Sequence, residues 1–166
     1  GDRHAQVGKI IQAAVLRGAQ GLRGSRPVII DITVTRFHAL TFEAELSNHD
    51  WGVHNIDLVA QVVDARSGAV LLPATKIRAE TPAWSGERMK AARRKGITQK
   101  SMITNHVAAT IAGWLGLGPD NRGTFSRKGR PAKMGISNVA EVAAGGGFSA
   151  VLKKDGTVWH AGGLFG

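Results

Sequence analysis

The sequence contains no cysteine, and this absence limits the chemistry open to it. Disulfide bonds, thiolate metal sites and thiol nucleophiles are all excluded. Tyrosine is also absent and aromatic residues make up only 5% of the chain, so few side chains can stack on nucleic-acid bases. No stretch approaches the roughly 18 apolar residues of a membrane-spanning helix. Any functional site must therefore be built without thiol groups and with few aromatic side chains.

The composition is that of a folded protein with one principal domain. Hydrophobic residues make up 43% of the 166 positions and charged residues 20%, which is typical of globular chains. A chain of this length can bury one core but is too short for two full-sized domains. We predict a main domain over residues 1–116, a basic linker over 117–134 and a β-rich segment over 135–166.

The beginning of the chain predicts a helix followed by a strand. Asp2 is suited to cap a helix, and the apolar residues after it keep the three-and-four spacing of one buried stripe: Val7, Ile10, Ile11, Ala14, Val15, Gly18 and Leu22. After Pro27 the residues alternate as in a strand with one buried face. The residues expected on that face are Val28, Ile30, Ile32 and Val34.

A second strand is predicted over Val53–Asp64, and it leads into a hairpin. The turn signal at 64–68 precedes a returning strand over 69–80. Pro73 cannot donate a ladder hydrogen bond, so we expect this third strand at a sheet edge or with a bulge. The residues expected on the buried face of the second strand are Ile56, Leu58, Ala60 and Val62.

Two shorter segments and two helices complete the main domain. Residues 41–46 are expected to form a short strand, with a loop over 48–52. Ser85 is placed to cap a short basic helix that ends at Gly96, and Thr98 to cap a longer one. The longer helix carries an amphipathic stripe that should pack on the sheet, made of Ile103, His106, Val107, Thr110, Ile111 and Trp114.

These elements together predict an α+β fold. We expect a mainly antiparallel three- to four-stranded sheet with the helices packed on one face, plus a C-terminal β-hairpin segment in which Asp155-Gly156 separates two short apolar runs. Trp114 is expected in the core and Trp159 as a hairpin anchor. Trp51 and Trp84 are expected to plug loops or to anchor an interface.

Positive charge is concentrated in one part of the chain. Residues 84–133 hold eleven Lys and Arg against two acidic residues, a net charge of +9 of the +10 of the whole chain. Three kinds of partner fit such a patch: anionic lipid headgroups, an acidic protein, or nucleic-acid phosphates. A merely solvated basic surface is the alternative. The candidate partner-binding residues are Arg88, Lys90, Arg93, Arg94, Lys95, Lys100, Arg127, Lys128 and Arg130, and the run also includes Arg122 and Lys133.

Catalytic and metal-binding patterns are weak. His49, Asp50 and His54 lie close together and have side chains that suit zinc, but a polar loop leading into a strand, with His54 pointing inward, explains them as well. No serine lies in a nucleophile-elbow context, and neither glycine-rich stretch has the setting of a phosphate-binding loop. We predict no catalytic residues, no metal site and no cofactor.

Five short motifs resemble a family of alphaproteobacterial lipoproteins of unknown function over residues 1–130; they lie at residues 2–7, 24–28, 35–40, 53–56 and 96–100. The resemblance implies an address in the bacterial cell envelope, in the periplasm or at the outer membrane, with an upstream signal peptide and a lipidated cysteine. The order of helices and strands is also similar to that of auxiliary lipoproteins of envelope transport systems, a likeness of topology alone.

Residues 136–159 resemble one repeat of the regulator-of-chromosome-condensation propeller family. A propeller needs several blades, and this chain offers at most one. Two explanations remain open: the segment pairs with a neighbouring sheet or subunit, or the chain is a fragment or composite.

The sequence thus predicts a non-enzymatic structural or assembly component of a bacterial envelope complex that binds other macromolecules through a basic surface and a strand edge. Partner proteins, within a homo-oligomer or a larger assembly, are expected first and an anionic membrane surface second. The alternative is a nucleic-acid-binding protein that uses residues 84–133. Charge reversal at Arg93, Arg94 and Lys95 is predicted to weaken partner binding without unfolding the domain.

Overall fold

The structure is a computed structural model, and it describes residues 3–46 and 52–122. It also describes the backbone of three strands, at residues 144–146, 148–152 and 158–162. The predicted helix cap Asp2, Trp51 and most of the predicted loop over 48–52 lie outside the described residues, as does the side chain of Trp159. The helices and strands are, in chain order, α1 Arg3–Gly18, β1 Val28–His38, α2 Phe42–Glu45, β2 Val53–Asp64, β3 Val70–Arg78, β4 Thr81–Pro82, α3 Gly86–Arg94, α4 Gln99–Trp114, β5 Ala144–Gly146, β6 Phe148–Leu152 and β7 Val158–Gly162.

The central sheet is mostly antiparallel, with strand order β3-β2-β1-β5. β2 pairs antiparallel with β1 and β3, β4 pairs with the first residues of β2, and β5 pairs parallel with β1. β6 and β7 form a separate antiparallel pair with Leu152 opposite Val158, as expected for the predicted hairpin. The predicted α+β class is confirmed. None of the helices in the described part is long and apolar enough to cross a membrane.

One face of β1 and β2 is buried under helices α1 and α4. All the residues predicted to face inward on these two strands are buried, and none is more than 6% exposed. They share one core with α1 and α4. Full burial of a Val, Ile or Leu side chain contributes about 1.5–3 kcal/mol, so this shared core accounts for the packing of α1 and α4 on one face of the sheet. Trp114, predicted for the core, is 0% exposed.

β3 is the outermost strand on its side of the sheet among the described residues. Pro73 is exposed in it, and the pairing with β2 shifts register between Ala60 and Val62 and again between Val62 and Val63. Both predicted consequences of Pro73, an edge position and an irregular ladder, are confirmed. Val70, 55% exposed, begins this edge strand.

Helices α1 and α4 run side by side in the same direction, because Gly18 faces residues 108–112 of α4 and Gly21 faces Leu117 further along. They approach each other closely at Gly18, where an added Cβ would lie 2.5 Å from the carbonyl oxygen of Ala108. Only glycine fits such a contact without moving a helix.

The prediction of a strand over residues 41–46 is wrong. The structure has the short helix α2 instead, entered through Thr41, whose hydroxyl accepts the N–H of Ala44 at 3.2 Å and whose carbonyl accepts the N–H of Glu45 at 2.8 Å. A threonine at this position caps a helix by occupying a donor that would otherwise lack a partner. The cap and the burial of Glu45 therefore favour a helical turn here over the predicted strand.

Candidate functional site

Helix α3 presents most of its basic residues to solvent. Gly86, Met89 and Ala92 form its buried face, because positions three apart lie on the same side of a helix. The helix ends in a Schellman motif at Gly96, which has a φ of +80° and donates its N–H to the carbonyl oxygen of Arg93 at 2.9 Å. A glycine takes this left-handed conformation without strain. The end of α3 is therefore fixed where the sequence predicts it.

Helix α4 begins three residues later with a capping box. The hydroxyl of Thr98 accepts the N–H of Ser101 at 3.1 Å, and the hydroxyl of Ser101 accepts the N–H of Thr98 at 2.9 Å. The reciprocal bonds occupy two donors that the first turn of a helix leaves unpaired. Since both ends of the connection are fixed, Lys95 after α3 and Lys100 in the first turn of α4 lie at one corner of the fold, both exposed.

Two of the predicted basic residues have partners on the surface. The guanidinium carbon of Arg88 lies 4.0 Å from the ring centroid of Trp84, within cation–π distance. The ammonium of Lys90 lies 2.7 Å from a carboxylate oxygen of Glu87, and its hydrogen bond is the main reason that the pKa of Glu87 is lowered. These two cations are partly compensated within the chain.

Three other cations form what we call the basic corner: Arg94, Lys95 and Lys100. All three are exposed, and none takes part in an ion pair within residues 3–46 and 52–122. Arg94 has one weak electrostatic neighbour, Glu87, whose pKa its charge helps to lower. The basic corner is therefore the part of the predicted patch whose charge remains least neutralised.

Arg93 differs from its neighbours because it holds α3 to α2. Its Nη2 donates to Oε2 of Glu45 at 2.9 Å and its Nε donates to Oε1 of the same carboxylate. Glu45 is only 4% exposed, and its pKa is lowered chiefly by the hydrogen bond from Arg93. Such a two-point contact suits a guanidinium. Since reversing the charge of Arg93 would place two carboxylates together, the charge-reversal test suits Arg94, Lys95 and Lys100 better.

A buried polar network lies beneath this surface. His54 is 0% exposed, and its Nδ1 accepts the N–H of Leu40 at 3.3 Å. A neutral imidazole that accepts at Nδ1 carries its proton on Nε2, so Nε2 donates to Oε1 of Gln99 at 2.7 Å. The amide nitrogen of Gln99 in turn donates to the carbonyl oxygen of Trp84 at 2.6 Å. Burial is the main cause that lowers the pKa of His54.

The network explains His54 without a metal. Both ring nitrogens are engaged in hydrogen bonds, whereas His49 and Asp50, the other predicted ligand candidates, lie outside the described residues. Within the described part of the chain, no group of three or more His, Asp or Glu side chains could hold a metal ion. The strand pattern predicts that His54 faces inward, but no local pattern predicts the burial of Gln99 and Glu45 beside it. The available signal is that a buried imidazole needs polar partners.

The remaining predicted cations divide into one buried residue and several that lie outside the described residues. Arg122 is 4% exposed and Asp120 is 6% exposed. Two nitrogens of Arg122 donate to the Asp120 carboxylate, at 3.0 and 2.9 Å, so Arg122 stabilises the segment after α4 and presents no accessible charge. The predicted candidates outside the described residues are Arg127, Lys128, Arg130 and Lys133.

Comparison with known protein families gives a match over most of the chain. The model of a family described as a family of unknown function, DUF6778, matches residues 1–130. These residues contain all of α1 to α4 and β1 to β4. No curated protein and no solved structure matches the chain.

Proposed function

The chain belongs to the DUF6778 family, whose function is unknown, and from the charges on its surface we propose that it is a non-enzymatic structural or assembly component that binds an acidic partner protein. The basic corner of Arg94, Lys95 and Lys100 is the contact surface, and the edge of β3 is a second one. The family brings no activity with it, so the proposed partner binding depends on the chemistry of this chain alone.

The observation that carries the proposal is the basic corner itself. Each Lys or Arg close to an anionic surface contributes about 1 kcal/mol, so three cations acting together contribute about 3 kcal/mol, roughly a hundredfold in affinity. Added salt would weaken such a complex because it screens exposed charges beyond about 10 Å at 0.1 M. Steep salt dependence is thus the expected signature of partner binding.

The edge of β3 supports a protein partner over other anions. An edge strand presents unpaired backbone groups that a strand of another chain can pair with, and lipids and nucleic acids cannot use them in this way. Pro73 has no N–H and therefore interrupts the edge of β3. The longest part of this strand without proline is residues 74–78. The same edge is available to a second copy of this chain, so a homo-oligomer fits the proposal.

The place of this assembly in the cell is a further part of the proposal. The resemblance of residues 1–130 to envelope lipoproteins supports a bacterial envelope complex, in the periplasm or at the outer membrane. The mass of the native particle bears on its role, because a large homomeric assembly would favour a scaffold over a carrier.

Nucleic-acid binding is the second candidate. The net charge of +9 between residues 84 and 133 favours it, since phosphate contacts supply most non-specific affinity for DNA. The low aromatic content of 5% speaks against single-stranded binding, because stacking on aromatic side chains is a main source of that affinity.

Both candidates are tested by one salt-titrated binding experiment with polyglutamate and mixed-sequence DNA as probes. We expect the wild type to bind polyglutamate at low salt and the variant R94E/K95E/K100E to lose this binding. The matched control is R23E/R36E/R66E, which reverses three exposed charges away from the basic corner and outside β3 and should still bind. Unchanged polyglutamate binding by the corner variant contradicts the proposal. DNA binding at physiological salt tighter than the micromolar level expected of non-specific contacts would favour the second candidate.

A further inference from the structure

An open groove of about 660 Å³ lies between α1 and α4. The two helices are in close contact at Gly18, and the groove lies towards their N-terminal ends, between residues 9–17 of α1 and residues 98–105 at the start of α4. Its volume is in the range of about 300–1,000 Å³ that is usual for small-ligand sites. The groove is a surface feature, because all of its lining residues except Thr104 are exposed or partly exposed.

Three cations line the groove: Lys9 and Arg17 from α1 and Lys100 from α4. None of the described residues that line it is acidic, and none of the three cations forms an ion pair within the described part of the chain. Lys9 and Arg17 are separated by roughly 12 Å along the helix axis, at 1.5 Å per residue. Arg17 donates a hydrogen bond to the amide oxygen of Asn105 across the groove, which orients its guanidinium there.

The apolar side chains in the groove lie between the cations. Ile10 and Ala13 contribute apolar surface between Lys9 and Arg17. The first turn of α4 also lies at this end, where the helix dipole favours negative charge. The lining therefore combines a positive potential with a small apolar surface.

We propose that this groove binds the phosphate of an anionic phospholipid headgroup. Guanidinium and ammonium groups together are the usual partners of phosphate in proteins, and Ile10 and Ala13 offer a surface to the glycerol carbons next to it. The groove is open along its length, so a small soluble anion would keep much of its hydration there. A headgroup fixed in a bilayer instead meets the groove at high local concentration, together with the neighbouring charges of the basic corner.

The test is flotation of the protein with vesicles of phosphatidylglycerol and phosphatidylcholine, compared with vesicles of phosphatidylcholine alone. The wild type should bind only the anionic vesicles. The variant K9Q/R17Q should bind them roughly 30-fold more weakly, from about two lost cation contacts. Its matched control is K76Q/R78Q, which removes the same charge from the opposite face of the sheet and should bind as the wild type does. The charge-preserving variant K9R/R17K should also bind.

Three results overturn the proposal. The first is wild-type vesicle binding by K9Q/R17Q, and the second is an equal loss in K76Q/R78Q, which would show a general charge effect. The third is binding of glycerol 3-phosphate in the groove by a protein that does not bind vesicles, which would identify a soluble ligand. The variant R94E/K95E keeps all three groove cations, so its loss of polyglutamate binding tests the proposed partner surface separately.

Discussion

At the residue scale, Arg93 and Arg94 are adjacent on α3 but have different surroundings. Arg93 pairs with the buried carboxylate of Glu45, whereas Arg94 has no ion pair among the described residues. Removing Arg93 would leave the buried carboxylate of Glu45 without its paired cation. The loss of stability from such an uncompensated buried charge is larger than the net stability that the ion pair contributes. Substitution by alanine at each of these two positions therefore distinguishes a cation that stabilises the fold from a cation that lies only on the surface.

We predict that Arg93→Ala lowers the urea midpoint of unfolding and that Arg94→Ala leaves it unchanged. The reason is that only the first substitution removes the two hydrogen bonds that Arg93 donates to the buried carboxylate of Glu45. Both variants are compared with the wild type by circular dichroism in urea. Equal midpoints for the two variants would show that the contact between α2 and α3 does not stabilise the domain.

His54 and His106 make the stability depend on pH. Burial is the main cause that lowers the pKa of each, so below the ordinary histidine pKa of about 6.5 the unfolded chain binds protons that the folded chain does not. The free energy of unfolding is therefore expected to fall as the pH is lowered from about 6.5 towards 5. Glu45 acts in a lower range, because its pKa is lowered from the ordinary carboxyl range near 4.5.

The measurement is urea unfolding of the wild type and of His54→Gln between about pH 7 and pH 5, across the ordinary histidine pKa. Glutamine keeps a polar group at the position but does not titrate, so the variant should lose part of the pH dependence. A wild-type free energy of unfolding that is flat over this range, or an unchanged slope in the variant, would show that His54 binds a proton as readily in the folded chain as in the unfolded chain.

At the element scale, periodicity predicted the parts of the fold that have one continuous buried face. The inward residues of β1 and β2 repeat every second position, and the stripes of α1 and α4 repeat every third or fourth, so their burial followed from the sequence. The strand predicted over 41–46 failed because six residues are too few to separate the two periods, and the Thr41 cap decided the outcome. The parallel pairing of β5 with β1 joins distant segments, for which local patterns carry no signal.

The close contact between α1 and α4 can be tested by adding a methyl group at Gly18. Gly18→Ala would place a Cβ 2.5 Å from the Ala108 carbonyl oxygen and 3.0 Å from Cβ of Ile111, so the helices must separate. Overpacking of this kind costs about 1–3 kcal/mol. The control is Gly21→Ala, whose added Cβ lies 3.5 Å from the nearest atoms of Leu117, an ordinary contact. Thermal unfolding of both variants checks the prediction, and equal stability of the two would contradict the close helix approach.

At the scale of the whole molecule, the sequence located the excess charge but could not assign a role to each cation. Arg93 and Glu45 are 48 positions apart, and Arg122 pairs with Asp120 in a segment predicted to be a linker. Such pairings depend on how elements pack, which single-sequence patterns do not contain. The groove cations Lys9 and Arg17 were missed for the same reason, since only the packing of α1 beside α4 brings them near Lys100.

We propose that this domain acts through its outer surface at the basic corner, and an NMR titration of the wild type with polyglutamate at low and at high salt tests this proposal. We expect amide shift changes concentrated at residues 94–101 that disappear at high salt, with His54 and Glu45 nearly unaffected. Shift changes centred on His54 and Glu45, or on the exposed sheet residue Thr35 and its hydrogen-bond partner Asp57, with residues 94–101 unmoved, would rule out the basic corner as the contact surface.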